Sequence, residues 1–383
     1  MAKSNPAIDR LIDRVREVAA SAHNCSRGQL RPVISFSLED PGLCSRGFGH
    51  DARRYFTDPV FYFEQSLLKK LWFWENLPED DIALTLDLPA WLGHYPEYTF
   101  FDLSVEYDAF GVPAIQSDHP LTRRPDLSLL KAVDFRSSGW MPRILRWYDD
   151  LCAIAAGRLN VTFNMTWWRG CLDLAMQLRG YENFVADLVE RPGFVRDLLS
   201  FLTEQRCRWH EAYCRHFGLP LSAASIGDDW LNVPFISPQV FRDFVLPRYL
   251  EIERFHGSIS SIHSCGNQAP LQRYLLEIRS LNTFEVSPWT SLPETLANVP
   301  PDKHLCIALH PTDAQYEHPD RLEERMRSVA HLCRGRQFSY AMGFAPERPS
   351  DLERYIARVR LCLRLAHRAF DATGAQAASA MSS

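Results

Sequence analysis

The sequence predicts an α/β fold: a parallel (β/α)8 TIM barrel with an N-terminal helical extension and a long loop insertion after its second strand. Three observations lead there. Eight short runs rich in β-branched or aliphatic residues recur along the chain, helical patterns follow them, and reactive side chains collect where the runs end.

The runs cover residues 31–38, 83–88, 159–164, 222–228, 258–263, 283–286, 304–309 and 337–341. Amphipathic segments such as 61–75, 193–217, 238–256 and 349–369 lie between or after them. Eight-fold alternation favours a closed barrel, and an open sheet with fewer strands is the competing architecture. Residues 1–28 are expected to form a leading helix (7–21) and a connector, residues 29–370 the catalytic barrel, and residues 371–383 a small, polar, disordered tail. The stretch from Pro89 to Trp147 is rich in aromatics, Pro and Gly, and reads as an excursion over the catalytic face.

With 383 residues, 46% hydrophobic and 23% charged, the chain can bury a large core. A formal charge of −5 and the lack of a long basic stretch argue against a dedicated nucleic-acid binder. The apolar runs are too short for a transmembrane helix, and the N-terminus alternates charged and apolar residues, so a cytoplasmic protein is expected. The ten cysteines then read as thiols, and no CxxC pair suggests a zinc ribbon or a thioredoxin-like site. Cys152, Cys171, Cys207, Cys214 and Cys362 fall in helix-like stretches and are expected to be small buried hydrophobes.

In a barrel the chemistry sits at the C-terminal strand ends. Those ends carry Asp228 and Asp229, then His263 and Cys265, then Glu285, His310 and Met342. Charged or imidazole groups there need water, a partner or a metal. Imidazole and thiolate are favoured zinc donors, and adjacent strands lie about 5 Å apart, so His263, Cys265 and Glu285 can converge on one ion with a fourth position open. The same residues also read as a His263–Glu285 ion pair beside a buried Cys265. The Asp228–Asp229 doublet suits a general acid or base through like-charge repulsion, or else a turn cap beside a solvated carboxylate. His310 reads as an alternative ligand, a proton shuttle or a loop residue. Trp167, Trp168 and Arg169 could wall a substrate carboxylate or simply pack. Asn267 and Met342 are further candidate substrate contacts.

The stretch Asp228-Asp229-Trp230, then Ile236-Ser237-Pro238, Phe241, Phe244, Pro247 and His263-Ser264-Cys265-Gly266-Asn267, resembles the uroporphyrinogen decarboxylase superfamily. It is more similar to the corrinoid-linked, zinc-dependent methyltransferase branch than to the decarboxylases. Segments near Glu75, Asp108, Gly170 and Arg179 extend the likeness over roughly residues 50 to 365. The resemblance implies a zinc barrel enzyme that activates a small thiol for methyl transfer, with a corrinoid protein as a possible methyl source. It also implies His263, Cys265 and Glu285 as metal ligands. One position departs from the pattern: Met342 stands where the family has its final cysteine ligand, and a thioether is a poor zinc donor. A decarboxylase or other C–C lyase, and a non-catalytic ligand-binding protein, are the competing functions.

Overall fold

The computed structural model describes residues 6–21, 34–37, 40–80, 82–116, 118–343 and 349–380. It is a mixed α/β protein. Its strands are β1 (Ile34–Ser37), β2 (Asp87–Ala90), β3 (Val105–Tyr107), β4 (Pro113–Ile115), β5 (Asn160–Phe163), β6 (Ala224–Gly227), β7 (Ile259–His263), β8 (Thr283–Val286), β9 (His304–Leu309) and β10 (Phe338–Gly343). A strand overlaps each of the eight expected runs, while β3 and β4 form an antiparallel hairpin inside the insertion. Residues 31–33 and 38 of the first run, the connector at 22–28, residues 344–348 and residues 381–383 lie outside the described residues.

Six strands form one parallel sheet in the order β1-β10-β9-β8-β7-β6, and β2 pairs in parallel with β5. The two sheets meet where the chain leaving β5 runs beside β6. There the Gly227 N–H donates to the Trp168 carbonyl at 2.8 Å, and the Gly170 N–H donates to the Gly227 carbonyl at 2.8 Å. Among the described residues no ladder joins β2 to β1. The expected closed ring of eight therefore stands as six strands plus two, linked on one side.

Register divides the large sheet into two faces, because residues paired across a parallel ladder point the same way and successive residues alternate. Ile226, Ile262, Phe284, Leu305, Ile307, Tyr340 and Met342 share one face and are buried. Ser225, Gly227, Ser261, His263, Thr283, Glu285, Cys306 and Ser339 share the other. The aliphatic face is covered by helices, so its side chains leave water; the small and polar face is left for the site.

α1 (Pro6–Ala19) buries Ile8, Ile12, Val15 and Val18, a single stripe at helical spacing. α2 (Pro192–Phe217) starts with proline at its first turn and buries Val195, Leu198, Leu199, Leu202 and Trp209. Arg206 lies in the same stripe. It donates to the Ser225 carbonyl at 3.1 Å and to the Trp167 carbonyl, tying the segment after β5 to β6. Burial lowers its pKa to about 10. α3 (Leu246–His256) packs on α2, and α4 (Pro319–Leu332) packs on α5 (Leu352–Ala380), which continues into the stretch expected to be a tail. Of the five cysteines expected in the core, Cys171 and Cys362 are buried, whereas Cys152, Cys207 and Cys214 are half-buried. No helix among the described residues is long and apolar enough to cross a membrane.

Two glycines set how closely the sheets approach. A Cβ at Gly227 would lie 2.3 Å from the Trp168 indole, and one at Gly170 would lie 2.2 Å from Asp228 Oδ2. Gly227→Ala is expected to displace Trp168 and cost about 1–3 kcal/mol through overpacking. Urea denaturation checks this, and a wild-type midpoint would show that the indole does not press on β6.

Candidate metal centre

β6 and β7 run in register, with Gly227 opposite His263. Asp229 lies two residues beyond Gly227, on the same alternation, and Cys265 lies two beyond His263. Three donor atoms meet there. Cys265 Sγ is 3.3 Å from His263 Nε2 and 3.4 Å from Asp229 Oδ1, and Nε2 to Oδ1 is 3.6 Å. All three ligand atoms lie within 4.8 Å of one another. Zinc bonds of about 2.0–2.3 Å at tetrahedral angles place donors roughly 3.3–3.7 Å apart, so the three fit one face of a zinc tetrahedron. Among the described residues no fourth His, Cys, Asp or Glu joins the cluster.

Glu285 takes the place of the ion-pair reading rather than that of a metal ligand. Its carboxylate meets the opposite edge of the imidazole, 2.9 Å and 2.8 Å from Nδ1, and Oε2 also accepts the Ser264 N–H at 3.2 Å. A carboxylate on Nδ1 fixes the tautomer and leaves Nε2 to face Cys265 and Asp229, the usual arrangement behind a ligating histidine. Burial opposes a charge on His263, but the hydrogen bonds to Cys265 and Glu285, with the Glu285 charge, outweigh it and hold the metal-free ring up to about 10, so a metal at Nε2 would have to displace that proton. The Trp168 indole stacks against the imidazole at 5.5 Å and 27°.

The two aspartates separate completely. Asp228 is fully buried on the helix side; its Oδ2 accepts from Tyr249 Oη at 2.8 Å and from the Leu172 N–H at 3.2 Å, while Oδ1 has no partner. Burial, reinforced by Asp173, pushes its carboxyl well above the usual range. Burial also opposes the charge on Asp229, but Arg169 and His263 more than offset it and hold that carboxyl below the usual range. Asp228 is thus pushed toward its neutral form, while Asp229, facing the cluster, is favoured as the anion.

The segment after β5 splits in the same way. Trp167, at a left-handed φ of +31°, is buried among Phe100, Phe101 and Trp209, so it belongs to the core rather than to a substrate wall. Trp168 and Arg169 face the site. Arg169 donates from Nη1 to Asp229 at 2.6 Å and to Asp173 at 3.2 Å. The insertion supplies much of its surroundings: the His94 carbonyl accepts from Arg169 Nε at 3.2 Å, and Tyr95 lies under the guanidinium at 4.5 Å. Glu97 accepts the backbone N–H groups of Trp168 and Arg169 at 2.6 and 3.1 Å, and Tyr98 donates to Asp173 at 2.5 Å. Tyr95 and Tyr98 belong to the aromatic run that marked the insertion, whereas His94, Glu97 and Asp173 did not stand out in the sequence. An aromatic-rich stretch containing a buried-type Glu was the available signal.

The remaining candidates have other work. His310 caps the helix Pro311–Tyr316, its Nδ1 accepting the Thr312 N–H at 3.2 Å. Asn267 holds a loop: its Oδ1 accepts the Ala269 N–H at 3.1 Å, and its carbonyl accepts the Val233 N–H at 3.0 Å. Met342 is 1% exposed and pairs with Leu309 and Phe36. Its register puts it on the aliphatic face, opposite that of Glu285. Parity, which the sequence reading did not apply to β10, places Ala341 and Gly343 on the site face instead.

Compared with solved structures, the chain is similar to a methyltransferase from Methanosarcina mazei. The TM-score is 0.62 at 14% identity, over 92% of this chain and 97% of that one. At that identity the likeness shows the fold alone. The homocysteine methyltransferase MmuM from Escherichia coli also matches, in apo and metallated forms, at 16% and 14% identity. Those matches cover 50% of this chain and 94% of that one at a TM-score of 0.23, too low to carry an argument. No family model matches the chain, and no curated protein matches it.

Parity gives a sharp expectation for metal binding. Asp229→Asn should lose most bound zinc, whereas Asp228→Asn and Met342→Cys should keep it, because both of those side chains point away from the cluster. Elemental analysis of the three purified variants checks this, and a zinc-free Asp228→Asn protein beside a zinc-loaded Asp229→Asn protein would reverse the assignment.

Proposed function

We propose that the chain is a zinc-dependent methyltransferase acting on a small thiol or related nucleophile, with Asp229, His263 and Cys265 as the metal ligands and Glu285 bracing His263. The observation that carries this reading is the donor triad at the ends of β6 and β7, whose spacing matches one face of a zinc tetrahedron. The M. mazei methyltransferase, which shares the fold over most of both chains, supports the reaction class. In the same reading the six-stranded and two-stranded sheets are parts of one (β/α)8 barrel, with the site at its C-terminal face.

Zinc bound there supplies Lewis acidity that lowers the pKa of a thiol toward neutrality. Asp229 and Cys265 offer two negative charges against the dication. Asp229 thereby provides the second anionic donor that Met342 cannot. Its oxygen is a harder donor than a thiolate, which also suits an oxygen nucleophile. Glu285 orients the imidazole, and Trp168 covers its face. The methyl group is proposed to come from a corrinoid carrier. A lyase reading needs an acid that reaches substrate, yet Asp228 is fully buried and Asp229 is held ionised beside Arg169.

The test begins with zinc stoichiometry of the whole protein, expected near one per chain and lost in Cys265→Ser, because a neutral hydroxyl cannot replace a thiolate. Zinc-loaded protein is then incubated with methylcobalamin and small thiols. Zinc-dependent formation of methyl thioether is expected. A zinc content that Cys265→Ser leaves unchanged would sink the metal centre, and bound zinc without methyl transfer to any thiol or alcohol would sink the methyltransferase reading.

A further inference from the structure

The two carboxylate oxygens of Asp229 face different partners. Oδ1 lies 3.4 Å from Cys265 Sγ and 3.6 Å from His263 Nε2, whereas Oδ2 accepts from Arg169 Nη1 at 2.6 Å. Arg169 has little freedom to let go. Its side chain is 2% exposed, Nε is held by the His94 carbonyl, and the guanidinium lies over the rings of Tyr95, at 4.5 Å, and Trp168, at 5.0 Å. Asp173, itself buried and bonded to Tyr98 Oη at 2.5 Å, shares the same Nη1. The arginine is therefore fixed from three sides by groups that are not part of the donor triad.

A free carboxylate can ligate a metal through one oxygen or through both. If both oxygens of Asp229 bound, they would occupy the coordination position that a substrate thiol needs. A guanidinium holding one oxygen opposes this, because the Nη1–H donated to Oδ2, from a planar fork fixed by the His94 carbonyl and Asp173, keeps the carboxylate in one rotamer and takes one lone pair of Oδ2. We propose that Arg169 is a positioning residue that restricts Asp229 to one-oxygen ligation and so keeps the fourth coordination position open for substrate. Tyr98 and Asp173 act behind it by fixing the guanidinium. This rests on the metal reading above and extends it to residues that touch neither metal nor substrate.

The experiment uses the full chain loaded with cobalt(II) in place of zinc, and reads metal affinity by chelator competition and coordination number from the visible d–d bands. Four-coordinate cobalt absorbs strongly and five-coordinate cobalt weakly. Wild-type protein is expected to give the strong spectrum. Arg169→Met is expected to lose about 10–100-fold in affinity, the usual effect of removing a group behind a metal ligand, with a weakened spectrum. Arg169→Lys should recover part of the affinity, because an ammonium can hold Oδ2 without the fork. Asp173→Asn loosens the hold on the guanidinium but leaves it beside Asp229, so its affinity should fall less than that of Arg169→Met. If Arg169→Met does not fold, the charge-matched pair Arg169→Met with Asp173→Asn replaces it in both measurements. Wild-type affinity together with a wild-type spectrum in the arginine-free protein would overturn the positioning role while leaving the metal centre intact. Failure of the wild-type chain itself to bind cobalt would overturn the metal reading, and this role with it.

Discussion

Everything at the candidate centre depends on the register of β6 against β7. With Gly227 opposite His263, the next residues on the same alternation are Asp229 and Cys265, and their donor atoms meet around the imidazole. A slip of one residue would move Asp228 into that place and turn Asp229 toward the helices, since side chains alternate with a period of two. Several contacts hold the register: the Ser225–Ser261 hydroxyl pair at 3.0 Å, the Asp228 N–H donated to the His263 carbonyl at 2.9 Å, and the aliphatic side chains of Ile226 and Ile262 buried under the helices. Burying those apolar chains is favourable only in one register, so packing on the far side of the sheet positions chemistry on the near side.

Charge follows the same division. Four carboxylates, Glu97, Asp173, Asp228 and Asp229, lie within a few residues' reach of Arg169 or of one another, and burial penalises a charge on each that loses water. Of these, Arg169 pairs directly only with Asp173 and Asp229. Asp229, in direct contact with Arg169 and near His263, keeps its charge, whereas Asp228 has only neutral donors and is pushed toward the protonated form. Asp173, shared between Arg169 and Tyr98, is pushed up by burial to about 6. Of Asp173, Asp228 and Asp229, the carboxylate held below the usual range is thus the one aimed at the donor cluster, and an ionised carboxylate is what a metal ligand requires.

The insertion after β2, expected to lie over the catalytic face, supplies contacts that build the site. Glu97 ties down the backbone of Trp168 and Arg169, and Arg206 from α2 ties down the Trp167 carbonyl from the other side. Between these anchors the chain takes a left-handed turn at Trp167, a conformation that costs a non-glycine residue about 1–3 kcal/mol. The turn sends Trp167 into the core, while Trp168 stacks on His263 and Arg169 reaches Asp229. Three adjacent residues that look like one aromatic-cationic cluster in sequence therefore do two unrelated things.

Periodicity and composition alone determined the strand positions, the leading helix, and the gathering of Asp229, His263, Cys265 and Glu285 at neighbouring strand ends. Hydrophobic runs and their alternation with helical patterns are local properties, written directly into the residues. Assigning each of those groups its task needed the tertiary structure. Whether Glu285 meets the metal or the back of the histidine depends on ring orientation, and whether Met342 faces the site depends on the parity of a strand whose ends could not be placed to the residue. The distinction between Asp228 and Asp229, identical side chains one position apart, is likewise invisible in the letters. It arises because one turns into a dry helix layer and the other toward Arg169, a contact spanning 60 residues that only the folded chain creates.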